Sequence, residues 1–299
     1  MKRATAEIAV GPEISVIIPA YNEAQGIMPT LTALGAEPRL QEAEIIVVDD
    51  GSTDDTAACV MEFPRVRLVR HSKNNGYGTA IKSGIRASTG QHIAWFDADG
   101  QHRVADLIAV LDTLITQRLD YCVGVRDARS HAVRSRRIGK FILKQTVRLA
   151  AGQHIADFNS GLRAFRREVI FPYLHLMPKG FGASTTMTLL MIERGYSGAD
   201  VPIVVHERIG KSSVKQLRDG IRTLMIILRI FLLFKPLVFF GGIGVVLITL
   251  GSIYGFAEAI SVRQGFPVFA AVIIILGVQA FFFGLLSDQV SQLRRERFE

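Results

Sequence analysis

Two aspartates stand one residue apart in Asp97–Ala98–Asp99, directly after the apolar run His92–Phe96. An apolar run of that length reads as a buried strand. Carboxylates at its end can turn toward the same opening, and Gly100 supplies a turn behind them. Paired carboxylates suit a hard divalent cation. Magnesium and manganese take oxygen ligands and leave positions open for phosphate and water. A lone Asp-x-Asp is also compatible with an ordinary polar loop, so the meaning of the pair depends on what else reaches it.

The surrounding elements are those of an alternating α/β chain. Ile14–Pro19, Glu44–Val48, Val66–Val69, His92–Asp97 and Tyr121–Val125 read as strands, the first two buried like the His92–Phe96 run. Asn22–Leu34, Gly78–Ser88 and Val104–Thr116 carry helical spacing, and Thr53 or Asp54 can cap a further helix toward Met61. The alternation predicts a mostly parallel sheet with helices on both faces. Ligands of such sheets bind beyond the carboxyl ends of the strands. Three of those ends carry polar loops: Tyr21–Asn22–Glu23, Asp49–Ser52 and Asp97–Gln101. No G-x-G-x-x-G follows the first strand, which disfavours a nicotinamide enzyme.

The chain changes character after about Leu217. Pro236–Phe256 is 21 residues without a charge, and Phe266–Leu286 is of the same kind. At about 1.5 Å per residue each reaches about 31 Å, enough for a hydrocarbon core of about 30 Å. With the short connection Ala257–Gly265 they predict a transmembrane hairpin. Lys211, Lys215, Arg218, Arg222, Arg229 and Lys235 precede it, Arg294, Arg295 and Arg297 follow it, and the connection holds only Arg263. The positive-inside rule therefore expects both ends in the cytoplasm. Val214–Phe234 alternates basic and apolar residues and reads as an amphipathic helix on the membrane surface. The expected division is a catalytic domain over 12–213, a juxtamembrane helix over 214–235 and a hairpin with its tail over 236–299.

The 299 residues suffice for one large domain plus such additions, and the formal net charge is +8. No DNA- or RNA-binding motif accompanies the basic residues, so anionic lipid and a phosphorylated substrate are the expected partners, not nucleic acid. Cys59 and Cys122 form no metal-ligand spacing or disulfide framework. MKRATAEIAVGPE lacks the apolar core of a signal peptide.

VIIPAYNE (16–23), VVDDGSTDDT (47–56), NNGYGTAIKSG (74–84), DADGQH (97–102), FNSGLRAF (158–165) and RIGKSS (208–213) occur in that order. The chain resembles a family-2 glycosyltransferase with the GT-A fold over about Ile14 to Val214. Within that family it is similar to dolichol-phosphate mannose synthases and bacterial polyprenyl-phosphate glycosyltransferases, and the hairpin suits that branch. The resemblance implies an inverting transfer of a hexose from a nucleotide sugar to a polyprenyl phosphate. It places the enzyme at the cytoplasmic face of the inner membrane, among membrane lipids. UDP- and GDP-sugars both fit, and a homo-oligomer is left open.

The resemblance also assigns roles. Pro19, Tyr21, Glu23 and Asp50 would hold the nucleoside, with Asp49 an equal alternative to Asp50 or a brace for the loop. Asp97, Asp99 and Gln101 would meet Mg2+ or Mn2+ and the diphosphate. Asp157, Asn159 and Ser160 would reach sugar hydroxyls or the acceptor, Asp157 with a catalytic part; Gly161 also permits a plain turn there. Arg126, Arg137 and Arg208 match arginines near the acceptor phosphate, with Arg136 interchangeable with Arg137. Relatives that glycosylate alcohols carry a carboxylate base where this chain reads GFGASTTMTLL (180–190), with Ser184, Thr185 and Thr186. A phosphate monoester, with a second pKa of about 6, needs no such base. Two other readings are a processive polysaccharide synthase, whose Q-x-x-R-W motif is absent, and a non-catalytic membrane scaffold, which would not need the carboxylate pair.

Overall fold

The computed structural model describes residues 12–127, 157, 160–180, 182–206, 235–262 and 265–296. The chain divides into two compact units, one holding the described residues up to 206 and the other those from 235 onward.

The first unit is built on a seven-stranded sheet in the order β3-β2-β1-β4-β6-β5-β7. Its strands are β1 (Ile14–Ala20), β2 (Glu44–Asp49), β3 (Val66–Arg70), β4 (His92–Trp95), β5 (Tyr121–Arg126), β6 (Arg163–Arg166) and β7 (Gly198–Ile203). Every residue of β1 is buried, as a central strand covered on both faces requires. Helices α1 (Ala24–Ala36), α2 (Thr56–Met61), α3 (Tyr77–Ala87) and α4 (Val104–Thr116) fill the crossovers. Val16, Ile18 and Ala20 of β1 join Leu31 of α1 and Leu111 of α4 in one core. The alternate residue Ile17 faces α3, where Gly84 lets the helix approach closely.

The five expected strands all form, and β1 to β4 are mutually parallel. Two features differ from expectation. β6 runs antiparallel to both β4 and β5, lying between them. Its four residues, two of them arginine, give no alternation to read from sequence. Asp55 takes the N-cap position of α2 without a side-chain capping bond, and the Asp54 carboxylate accepts from the Thr56 backbone N–H at 3.1 Å.

The chain leaves β1 for α1 and β2 on one side, while β4 lies on the other. Strand order reverses there, and open α/β sheets bind ligands in the crevice beyond the strand ends at such a point. The loops after β1 and β4, Tyr21–Glu23 and Asp97–Gln101, follow the two strands that meet there.

The second unit is a pair of helices, Pro236–Val262 and Val268–Glu296. Both are long and apolar enough to cross a membrane, with mean hydropathy of 2.2 and 2.6. They extend beyond the expected spans: the first continues past Phe256 through Ala257, Glu258 and Ala259, residues that favour helix. The helices meet through small residues. A Cβ on Gly244 would lie 2.7 Å from the Gly277 carbonyl oxygen, and one on Gly277 would lie 2.8 Å from that of Gly244. Gly251 and Gly255 face Ile274 and Ala270, so this G-x-x-x-G is used between the two helices of one hairpin. The proposed juxtamembrane helix over 214–235 lies outside the described residues, apart from Lys235.

Candidate active site

The first two loops are laced together before any ligand is considered. Asn22 takes a positive φ of 55°, and its side-chain oxygen accepts from the Thr53 N–H at 2.8 Å. Its own N–H donates to Ser52 Oγ at 3.0 Å, and that of Glu23 to Thr56 Oγ1 at 2.9 Å. Pro19 pairs with Val48 one residue before β1 ends at Ala20, so Tyr21 and Glu23 emerge at the strand end. Tyr21 and Glu23 are half-buried at the crevice side of the sheet.

The two neighbouring aspartates of the second loop do different things. Asp49 is fully buried; its Oδ1 accepts from the Ser52 N–H at 2.8 Å and its Oδ2 from Arg70 Nε at 3.3 Å. That is a brace for the turn. Asp50 accepts from the Asn75 and Gly76 N–H groups at 3.0 and 2.7 Å and pairs with His71 Nδ1 at 2.6 Å. His71 Nε2 in turn meets Ser83 Oγ at 2.9 Å. Asp50 thus fastens the chain that leads into α3. A carboxylate offers about four acceptor positions, so three such bonds leave it room for one more donor.

At the end of β4, Gly100 adopts a φ of +71° and turns the chain back. Asp99 Oδ1 accepts from the Gln101 N–H at 3.2 Å, and Asp99 is nearly buried. Asp97 receives a hydrogen bond from Tyr77 Oη at 2.9 Å, with His102 Nε2 at 3.9 Å from its other oxygen. The His102 side chain is 6% exposed, and its Nδ1 has no partner among the described residues. Burial lowers its pKa, so the ring is neutral near pH 7. Gln101 Nε2 donates to the His206 carbonyl at 3.2 Å, and the His206 N–H returns a bond to the Gln101 carbonyl at 3.0 Å. The loop is therefore tied to the segment that follows β7.

Among the described residues, no three His, Cys, Asp or Glu side chains gather into a complete metal cage. The available donors are a pair of carboxylates and an amide. That set fits Mg2+ or Mn2+, which fill the rest of their shell with diphosphate and water, and it does not fit zinc.

On the far side, Asp157 holds Arg126 in a two-pronged ion pair, with Nε to Oδ2 at 2.6 Å and Nη2 to Oδ1 at 3.0 Å. A proposed sugar-side acid and a proposed phosphate-side arginine are thus direct partners. The guanidinium has five N–H groups, and this pairing uses two of them. Ser160 is buried; its hydroxyl accepts from the Leu162 N–H at 3.3 Å in a local turn. Arg137, Arg208, Asn159 and the alternative Arg136 lie outside the described residues.

Arg163, absent from the expected site, is the largest surprise. It is fully buried beneath these groups, 5.4 Å from the Trp95 ring centroid. It donates to the Ser160 carbonyl at 2.7 Å, the Ser184 carbonyl at 2.8 Å and Thr188 Oγ1 at 2.7 Å. Burial pulls its pKa down to about 10, which still leaves it charged near pH 7, with Asp157 and Asp97 among the charges that offset the burial. The helix Gly182–Glu193 that receives it buries Ser184, Thr185, Thr186 and Thr188. Their hydroxyls belong to the interior, and Gly182–Ile192 carries no carboxylate. Tyr77 and Arg163 stand inside motifs visible in the sequence and His71 lies just before one, but nothing in a motif shows which neighbour a side chain will meet.

Comparison with known proteins agrees with this geometry. Residues 15–171 match the model of glycosyl transferase family 2, and residues 235–293 match the GtrB C-terminal hairpin. Glycosyltransferase AglJ of Haloferax volcanii is 30% identical over 299 residues, with 96% of each chain covered. The undecaprenyl-phosphate 4-deoxy-4-formamido-L-arabinose transferase of Sodalis glossinidius is 27% identical over 94% of this chain and 89% of its own. Among solved structures, glucosyl-3-phosphoglycerate synthase from Mycobacterium tuberculosis, in complex with Mn2+, UDP and phosphoglyceric acid, superposes with a TM-score of 0.60. It is 20% identical, with 74% of this chain and 78% of that one covered, which speaks for the GT-A fold alone. With the family match spanning more than half its length and the hairpin model matching residues 235–293, the chain belongs to glycosyl transferase family 2 and carries a GtrB-type C-terminal hairpin.

Proposed function

We propose that this enzyme transfers a hexose, with inversion, from a UDP- or GDP-sugar to a polyprenyl phosphate at the cytoplasmic face of a membrane. The observation that carries the reading is one chain holding both the Asp97–Asp99 pair at a GT-A crevice and a hairpin apolar enough to reside in a bilayer. Relatives named for undecaprenyl-phosphate and polyprenol substrates support it.

In this reading Tyr21, Glu23 and Asp50 receive the nucleoside at the joined first and second loops, with Pro19 shaping the strand end. Asp97, Asp99 and Gln101 would hold Mg2+ or Mn2+. When bound, the cation neutralises charge that builds on the departing nucleoside diphosphate. Asp157 orients sugar hydroxyls or the acceptor and holds Arg126 in place. Arg126, with Arg137 and Arg208, offsets the repulsion between the acceptor phosphate and the diphosphate, which at an effective dielectric of about 20 amounts to several kcal/mol. Arginine suits that role because its fork binds phosphate in a bidentate way. The acceptor is already largely ionised near neutral pH, which agrees with the carboxylate-free stretch Gly182–Ile192 of the helix Gly182–Glu193. The hairpin keeps the enzyme where the lipid acceptor resides.

The test is the full-length protein in detergent, given undecaprenyl or dolichyl phosphate and a panel of labelled UDP- and GDP-sugars. One donor should yield a lipid-extractable labelled product, and Arg126→Ala should lower that yield far more than it weakens donor binding by calorimetry. Label that reaches only water-soluble acceptors would overturn the lipid-phosphate reading.

A further inference from the structure

Tyr77 begins α3, and its position is decided from two directions. The residues just before it, Asn75 and Gly76, donate their N–H groups to Asp50 at 3.0 and 2.7 Å. The residue just after it, Gly78, donates its N–H to the Lys179 carbonyl at 2.8 Å. A side chain held at both flanks has little freedom to wander. Its hydroxyl donates to Asp97 Oδ1 at 2.9 Å.

The opposite side of Asp97 is equally confined. A Cβ on Gly161 would stand 2.8 Å from Asp97 Cγ and closer still to Oδ2. Any side chain at position 161 would push the carboxylate out of its seat. One residue therefore pulls on the Asp97 carboxylate, and a bare backbone leaves room behind it.

We propose that Tyr77 is a positioning residue for the reaction: it aims the Asp97 carboxylate at the cation, and Gly161 is the seat that makes this aim possible. The proposal rests on the cation-binding role given to Asp97 above. It also explains why NNGYGTAIKSG lies between the nucleoside loop and the carboxylate pair. One short segment, 75–77, is fastened to Asp50 at one end and grips Asp97 at the other, so the nucleoside and cation halves of the donor site share a brace. A polar neighbour that orients a metal ligand typically accounts for about 10- to 100-fold in metal affinity.

The experiment titrates Mn2+ into full-length protein in detergent with UDP, and separately with GDP, and follows bound Mn2+ by electron paramagnetic resonance. Tyr77→Phe keeps the ring and removes only the donor. It should raise the Mn2+ half-saturation about 10-fold or more, with an unchanged melting temperature and little change in the acceptor KM. Gly161→Ala reaches the same carboxylate from the other side and should reproduce the shift, so the idea does not depend on one variant folding. Wild-type Mn2+ affinity in folded Tyr77→Phe or folded Gly161→Ala would overturn the proposal while leaving the cation reading intact. A wild-type protein that takes up no Mn2+ with either nucleotide would overturn the cation reading itself, and this proposal with it.

Discussion

The two units of this chain bury opposite kinds of residue. In the sheet unit the interior is large and branched: Ile17, Ile18, Ile46 and Leu31 are essentially inaccessible. In the hairpin the large side chains face outward, with Val245, Leu250, Phe269 and Phe282 exposed, while Gly244, Gly251 and Gly277 form the seam. Water drives the first arrangement, because burying apolar surface is favourable only when the alternative is water. Hydrocarbon surroundings remove that drive. What remains is close backbone packing, which small residues permit. The same apolar alphabet therefore specifies two solvents. The proposed function follows the division: the polar groups proposed to do chemistry sit at the strand ends of the sheet unit, and the hairpin carries none of the proposed site.

The largest effect expected from breaking that contrast is on activity alone. Asp99→Asn should lower transfer by at least about 100-fold, the scale of losing one strong electrostatic stabiliser, while the melting temperature barely moves. Transfer near the wild-type rate in Asp99→Asn, or in wild type with excess chelator, would remove the carboxylate pair from the mechanism.

Next come the two interiors. Ile18→Ala should cost about 2–5 kcal/mol, since it empties a fully packed site. Leu250→Ala, exposed on the hairpin, should change stability by less than about 0.5 kcal/mol. Denaturant or thermal melts in one detergent would compare them directly. Equal losses would mean the outward hairpin face is packed rather than solvated by lipid.

The reverse substitution sharpens the point. Gly277→Val places a branched side chain where even a Cβ would meet the Gly244 carbonyl at 2.8 Å. Overpacking of this kind costs about 1–3 kcal/mol. Cysteine crosslinking between the two helices should report a looser hairpin, with donor binding by the sheet unit unchanged. Unaltered crosslinking would place the seam elsewhere.

The smallest effect is a pH dependence confined to the sheet unit. Burial lowers the pKa of His92, with Arg166 acting the same way and Glu13 opposing them. A lowered folded-state pKa means the unfolded chain binds the proton more readily. Stability is then full above the ordinary value of 6.5 and declines as the pH falls below it. His92→Gln should flatten part of that acid-side decline in melting temperature. An identical pH profile in the variant would show that His92 does not contribute to it.

Much of this molecule was legible in the residues themselves. The central strands announce themselves because a strand buried on both faces must be apolar throughout, as the all-buried Ile14–Ala20 is. The hairpin is legible for the same reason: a lipid solvent demands some twenty uncharged residues in a row. The Asp97–Asp99 pair and the polar strand ends could be named because topology puts strand ends at the crevice. Tertiary structure alone decided the rest. The antiparallel insertion of Arg163–Arg166 depends on pairings with β4 and β5 that no local pattern encodes. Arg163 looks like any surface arginine until the Ser160 and Ser184 carbonyls close around it. Asp49 and Asp50 are chemically identical neighbours, yet one braces a turn against Arg70 and the other fastens the entry to α3. Tyr77 meets Asp97 across 20 residues of chain. Composition and periodicity report which residues must leave water. Which polar atom meets which is settled by contacts between distant segments, and only the folded chain brings those together.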